Sequence, residues 1–210
     1  MDFDHSVEVE LKFKLSSKEI ESLVSSSFFQ ERFAFSFKKT NITTYYDTSS
    51  FDLRKNKIAI RIRESEGYKE QTIKIPIGEI NTIQKCHEIS SPIESSEPDL
   101  STIKKETVPV EIDLNQYHGS LKPIFITSIE RTQWVYSENG QTLFLCIDKG
   151  KISTTGYADL SIDVSELEIE LASGEESFLI SFSKDLVLNY GLTSFNKTKA
   201  DRGYSLIGVV

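Results

Sequence analysis

Cysteine is scarce in this sequence: there are two in 210 residues, Cys86 and Cys146, each inside a strand-like run. So small a supply excludes a secreted scaffold held by disulfides, and although one bridge is possible by count, reduced thiols are the plain expectation. A signal peptide is also lacking, which points to the cytoplasm. No apolar run approaches the roughly 20 residues that a membrane-crossing helix needs. The three histidines, His5, His87 and His118, are scattered without ligand spacing, which argues against a zinc site. Excess basic charge is missing too. Lys and Arg number 24 against 32 Asp and Glu, a net charge of −8, which argues against a nucleic-acid partner held on a basic surface. No arrangement of Ser, Cys or His suits a covalent intermediate.

What is present is alternation. In Val7-Glu8-Val9-Glu10-Leu11-Lys12-Phe13-Lys14-Leu15 the apolar residues share one parity, while Glu8, Glu10, Lys12 and Lys14 share the other. The pattern predicts a strand with one core face and one charged face. Lys57 to Arg63 repeats it with cations, Thr72-Ile73-Lys74-Ile75 continues it, and Glu166-Leu167-Glu168-Ile169-Glu170-Leu171 sets three carboxylates on one face. If these strands share one sheet, a single surface carries both an anionic and a cationic cluster. Crowded like charges need opposite charges among them. Carboxylates suit a divalent metal and clustered Arg and Lys suit phosphate oxygens, so a metal–polyphosphate complex meets both needs.

Glu8-x-Glu10-x-Lys12 resembles the signature of the CYTH domain, or triphosphate tunnel metalloenzyme, family. Tyr45-Tyr46-Asp47-Thr48, Arg61-Ile62-Arg63, Lys74, Glu88, Glu130-Arg131-Thr132, Asp148, Glu168-Ile169-Glu170 and Lys197 to Tyr204 follow in that family's order. The resemblance covers about Val7 to Tyr204. It implies an α+β fold: a closed eight-stranded antiparallel β-barrel whose polar lumen is the active site, with helices packed outside. With 38% hydrophobic residues the chain has enough apolar material for a sizeable core, and residues 1–210 are expected to form one such domain.

The remaining elements are read from local signals. Residues 16–28 are expected to form one helix, and 33–48 a strand region in which the tyrosines pack into the core. A short helix over Ser50 to Asn56, capped by Ser49 or Ser50, precedes the arginine strand 57–63. Gly78 to Thr82 breaks the pattern, and Ile83 to Ser90 resumes it. Residues 91–122 are the least informative and the segment expected to be mobile, with a helix at Leu100 to Lys105 and a short strand at Val108 to Ile112. Asn139-Gly140 marks a hairpin turn, 149–160 a turn region, and Glu175 to Tyr190 the clearest helix, stopped by Gly191. The cationic tail 195–204 reads as solvated surface, except that Lys199 matches a lysine that the family places near its tunnel.

By the same resemblance, Glu8, Glu10, Asp148, Glu168 and Glu170 would hold Mg²⁺ or Mn²⁺. Glu166 shares their face, so which pair among Glu166, Glu168 and Glu170 binds metal stays open. Lys12, Arg61, Arg63, Lys74 and Arg131 would grip phosphates, Lys199 would neutralise a leaving group, and Glu88 would position water. The expected activity is hydrolysis of inorganic triphosphate, a small-molecule substrate, to pyrophosphate and phosphate. Thiamine triphosphatase, with Trp134 or tyrosines as aromatic platform, class IV adenylate cyclase, and a non-catalytic polyphosphate- or nucleotide-binding module are the alternatives.

Overall fold

Period-two alternation is realised in eight long strands, and in a computed structural model of the chain they close on themselves. The structure describes residues 4–80, 83–101, 113–156 and 160–209. The strands are β1 (Asp4–Lys14), β2 (Ala34–Asp47), β3 (Ala59–Ser65), β4 (Tyr68–Ile80), β5 (Ile83–Pro92), β6 (Lys122–Glu138), β7 (Gln141–Thr154) and β8 (Ser161–Ser173). Around the barrel they run β5-β4-β3-β2-β6-β7-β8-β1, and a further β1–β5 pairing completes the circle. Every pairing is antiparallel. The strand at the seam joins both sides of it: Asp4 to Glu10 lie against β5, and Glu10 to Lys14 against β8. A two-residue strand, β9 (Thr193–Ser194), extends β1 at Phe13 and Lys14.

Closure puts one parity of each strand outward, where helices cover it. Helices α1 (Ser17–Ser25), α2 (Ser27–Arg32) and α4 (Glu176–Tyr190) bury Leu23, Phe29, Phe182 and Leu186 against Leu11, Phe13, Leu145, Leu167 and Ile169. Each such side chain contributes about 1.5–3 kcal/mol on burial. A second outer core, Ile58, Ile60, Ile73 and Ile89, is covered by Leu53 of helix α3 (Asp52–Lys55), by Leu100, and by Leu114 of a short 3₁₀ turn. Helix α5 (Lys199–Leu206) lies across one end, where Tyr204 packs with Tyr45, Phe125, Ile152 and Val164.

Several boundaries differ from expectation. The helix over 16–28 is two helices, because Ser26 takes extended backbone and its side chain caps the second one. The short helix before β3 gets no cap from Ser49 or Ser50; Asp47, at the end of β2, accepts the Leu53 and Arg54 amides instead. Gly78 continues β4, paired with Lys85 after a bulge at Ile77, rather than starting a break; residues 81 and 82 lie outside the described ones. The turn region expected at 149–160 starts later, since β7 runs to Thr154, and its residues 157–159 lie outside the described ones. Asn139 and Gly140 make the expected turn, both with positive φ, and Gly191 ends α4 in the left-handed region. The helix and strand expected at 100–112 fall on residues outside the described ones, apart from Leu100 and Ser101.

Candidate functional site

The inward parity lines a cavity of about 820 Å³ bounded by Glu8, Glu10, Lys12, Arg61, Arg63, Lys74, Glu88, Arg131, Asp148, Glu168, Glu170 and Lys199. Thus the structure gathers in one lumen every residue that the sequence nominates. Strand order then sorts them. β7, β8, β1 and β5 are consecutive around the barrel and contribute Asp148, Glu166, Glu168, Glu170, Glu8, Glu10 and Glu88. β4, β3, β2 and β6 fill the other half and contribute Lys74, Arg61, Arg63 and Arg131. One wall is acidic and the facing wall is basic.

Ion pairs bridge the walls. Lys74 Nζ lies 2.5 Å from Glu8 and 2.8 Å from Glu88. Lys12 is instead a base within the acidic half, on β1, and pairs there with Glu10 at 2.5 Å and with Glu168 of neighbouring β8 at 2.9 Å. Arg131 forks onto Asp148 through Nε at 2.7 Å and an amino nitrogen at 2.6 Å, and also reaches Glu168. Burial opposes ionisation of Glu8, but Lys74 and Lys12 outweigh it and bring its carboxyl down to about 2. Glu168 and Asp148 are likewise held below the usual carboxylate range, against burial, by the bases facing them.

Two residues stand outside this pairing. Arg63 forms no ion pair among the described residues; Arg61 beside it, then burial, bring its guanidinium down to about 10. Glu170 also has no ion-pair partner there, and burial together with Glu8 and Glu10 pushes its carboxyl up to about 7. Its register partner is Glu10, itself raised by burial and by Glu8 and Glu168. The basic wall therefore keeps an unmatched cation and the acidic wall an unmatched acid.

Helix α5 supplies charges that parity cannot reveal. A Thr198–Asp201 capping box starts it, Lys199 lines the lumen, and Arg202, three residues on, reaches Glu166 beside it. Lys199 contacts Asp148 at 2.6 Å, Glu168 at 2.9 Å and also Glu166, while Arg202 lies 2.5 Å from Glu166. Arg202 was legible only as part of a basic tail, and Lys197 is the tail lysine that stays exposed. Tyr45 lines the lumen, stacked on Phe125, whereas Trp134 faces outward and meets Phe29 edge-on at 5.1 Å. Both cysteines are free; Cys86 Sγ lies 3.1 Å from Glu8, and burial pushes each thiol up to about 12.

The donor set fits a hard divalent cation. Ligand atoms of Glu8, Cys86 and Glu88 converge within 4.8 Å, as do those of Asp148, Glu166 and Glu168. Carboxylate oxygens are what Mg²⁺ and Mn²⁺ prefer. Glu10 and Glu170 lie outside both groups, facing each other across β1 and β8.

The structure is a closed antiparallel barrel whose lumen is lined by charges of both signs. Residues 6–204 match the model of the CYTH domain, and the chain belongs to that family. It is 28% identical over 163 residues to an inorganic triphosphatase of Haemophilus influenzae, a match taking in 78% of this chain and 45% of that protein. A candidate triphosphatase of Bacillus subtilis, YjbK, is 32% identical over 119 residues, 55% of this chain and 60% of that one. The chain thus spans less than two thirds of either relative's length. Among solved structures, a candidate adenylate cyclase from Bacillus halodurans superposes with a TM-score of 0.63 at 22% identity, over 94% of this chain and 97% of that one. HpAC1 from Hippeastrum, described as having a dominant triphosphatase activity, gives 0.60 at 17% identity over 97% of each. These likenesses establish the barrel. No helix among the described residues is long and apolar enough to cross a membrane.

Proposed function

We propose that the chain hydrolyses inorganic triphosphate to pyrophosphate and phosphate with Mg²⁺ or Mn²⁺. The observation that carries the reading is the division of the lumen into an acidic and a basic wall, each keeping one unpaired charge, Glu170 and Arg63. A metal–triphosphate complex would satisfy both at once. Glu8, Glu10, Glu168 and Glu170 would hold the cation, which supplies charge neutralisation at the phosphoryl oxygens. Glu166 is held by Lys199 and Arg202 and is not among the residues lining the cavity, whereas Glu168 and Glu170 line it, so those two are the pair assigned to metal. Asp148 is fully buried and grips Arg131 and Lys199; its part is to aim those two bases.

Arg61, Arg63, Arg131, Lys74 and Lys12 would hold non-bridging oxygens, guanidinium groups being suited to bidentate contact. Their fixed positive charge favours the charge that develops as a phosphoanhydride bond breaks. Glu88 stays ionised through Lys74 and Arg61, despite burial, and would orient the attacking water. Lys199 would neutralise the departing pyrophosphate oxygen. One P–O–P bond is replaced by a P–O bond from water, with no enzyme-bound intermediate. Trp134 lies outside the lumen, which removes one of the two aromatic platforms expected for thiamine triphosphate and leaves Tyr45 as the other.

The test is phosphate release from inorganic triphosphate, ATP and thiamine triphosphate in parallel, with and without Mg²⁺ or Mn²⁺. Metal-dependent release from triphosphate well above the other two is expected. Cyclic nucleotide and pyrophosphate from ATP would replace this reading with a cyclase, and tight triphosphate binding without turnover would leave a binding module.

A further inference from the structure

Asn41 is an anomaly in the tunnel wall. It sits on β2, in the basic half, on the face shared with Thr43 and Tyr45, and it lines the cavity. Thr43 is the register partner of Arg63, and Ile129, the partner of Asn41, is two residues from Arg131. The amide therefore lies between the two strands that carry the guanidinium groups. Only 4% of Asn41 is exposed. Even so, its side chain makes no hydrogen bond with any described residue, and its Oδ1 is buried without a partner.

Buried amides in native proteins are nearly always satisfied, because an orphaned polar group costs desolvation and gains nothing. Alanine or valine would line this wall at lower cost. A group kept at a loss within the protein, inside a cavity, between unpaired Arg63 and Arg131, fits a partner that arrives from outside. The two buried guanidinium nitrogens that also lack partners, Nε of Arg61 and Nε of Arg63, lie on the adjacent strand.

We propose that Asn41 is a substrate-binding residue: its Nδ2–H, which bonds to no described residue, donates to a non-bridging oxygen of the phosphoryl group seated on Arg63, opposite the carboxylate wall, while Oδ1 accepts from a water carried in with that group. An amide is suited there because it donates without adding a further cation beside Arg61, Arg63 and Arg131, whose mutual repulsion already depresses Arg63. It selects for a tetrahedral oxyanion at that position rather than for charge in general. The inference rests on the triphosphate reading above.

The experiment compares wild type, Asn41→Ala and Asn41→Asp by calorimetric titration with inorganic triphosphate, KM and kcat for its turnover, and melting temperature. Asn41→Ala should raise Kd and KM about tenfold while the melting temperature holds or rises, since an orphaned group has been removed. Asn41→Asp should also raise the melting temperature, by giving Arg63 a partner, yet weaken triphosphate binding by a hundredfold or more. Unchanged affinity in Asn41→Ala, or a lowered melting temperature in that variant, overturns the proposal; the latter would mean that the amide has a partner within the protein. Wild type that neither binds nor hydrolyses triphosphate overturns the functional reading itself, whatever the variants do.

Discussion

Tyr204 donates its hydroxyl to Asp47 at 2.7 Å, across 157 positions of sequence. Asp47 is fully buried and has no cation beside it; its carboxylate also accepts the backbone N–H groups of Thr48, Leu53 and Arg54 at 2.7, 2.9 and 3.0 Å. One acid thus ties α5 to the end of β2 and the start of α3. Arg54 strengthens the tie through Asp201 at 2.6 Å, with its guanidinium over the Tyr204 ring. Tyr204→Phe should cost about 1.5–3 kcal/mol, as expected for a hydrogen bond to a charged acceptor. Because Lys199 and Arg202 ride on the same helix, triphosphate turnover should fall as well. Urea titration beside a phosphate-release assay checks both, and a variant as stable as wild type would dispose of the tie.

Arg63 and Arg131 should respond to truncation in opposite ways. Arg131→Ala takes the forked partner from Asp148 and one of three bases from Glu168, leaving Lys199 on both, and should cost about 1.5–3 kcal/mol of stability. Arg63→Ala strands no acid, so stability should hold or rise while triphosphate affinity falls at least a hundredfold. Equal loss of stability in the two variants would contradict the pairing described here.

Glu170 makes the metal-free protein sensitive to pH. A carboxyl whose folded pKa of about 7 lies above its unfolded value is favourable protonated; the folded state holds its proton longer, so stability falls as pH rises through that interval. The penalty is absent below about pH 4.5 and complete above about pH 7, on the order of 1–3 kcal/mol. Glu170→Gln in chelator should match wild type at pH 5 and exceed it at pH 8. Added Mg²⁺ or Mn²⁺ should remove the difference by stabilising wild type alone. Parallel pH curves for the two proteins would rule this out.

Gly203 faces Phe125 so closely that a methyl group would enter the ring's space. Gly203→Ala should push α5 outward and cost about 1–3 kcal/mol. The double variant with Phe125→Leu should recover part of that loss, and an additive double variant would count against the contact.

The barrel was largely legible because alternation writes each strand's two faces directly into the sequence. Glu8, Glu10 and Lys12 stand opposite Val9, Leu11 and Phe13, and the first set lines the lumen while the second packs beneath the helices. Neighbour relations were not legible: nothing in Glu10 or Glu170 shows that they face each other, since strand pairing is settled by closure. The turn region expected from 149 begins inside a strand, where Gly150 sits within β7 against the Ser128 backbone. Arg202 was missed because parity is a strand signal, while its cue was helical: a Thr198-x-x-Asp201 cap and a spacing of three from Lys199. Asp47 and Asn41 act through what they touch or fail to touch, which a sequence does not state.

The seam strand carries a kinetic consequence. β1 cannot complete its pairing until β8 exists, since Glu10 meets Glu170 about 160 positions later, and α5 arrives after that. Such non-local pairing makes for slow folding, on the order of milliseconds to seconds. During refolding, local hairpins whose inward charges have one sign, the basic β3–β4 and the acidic β7–β8, can form first, with acidic and basic strands still apart and unable to neutralise one another. Assembly of the charged bore is then a late, all-at-once event, and the salt concentration that screens its half-built walls would set the speed of the last step.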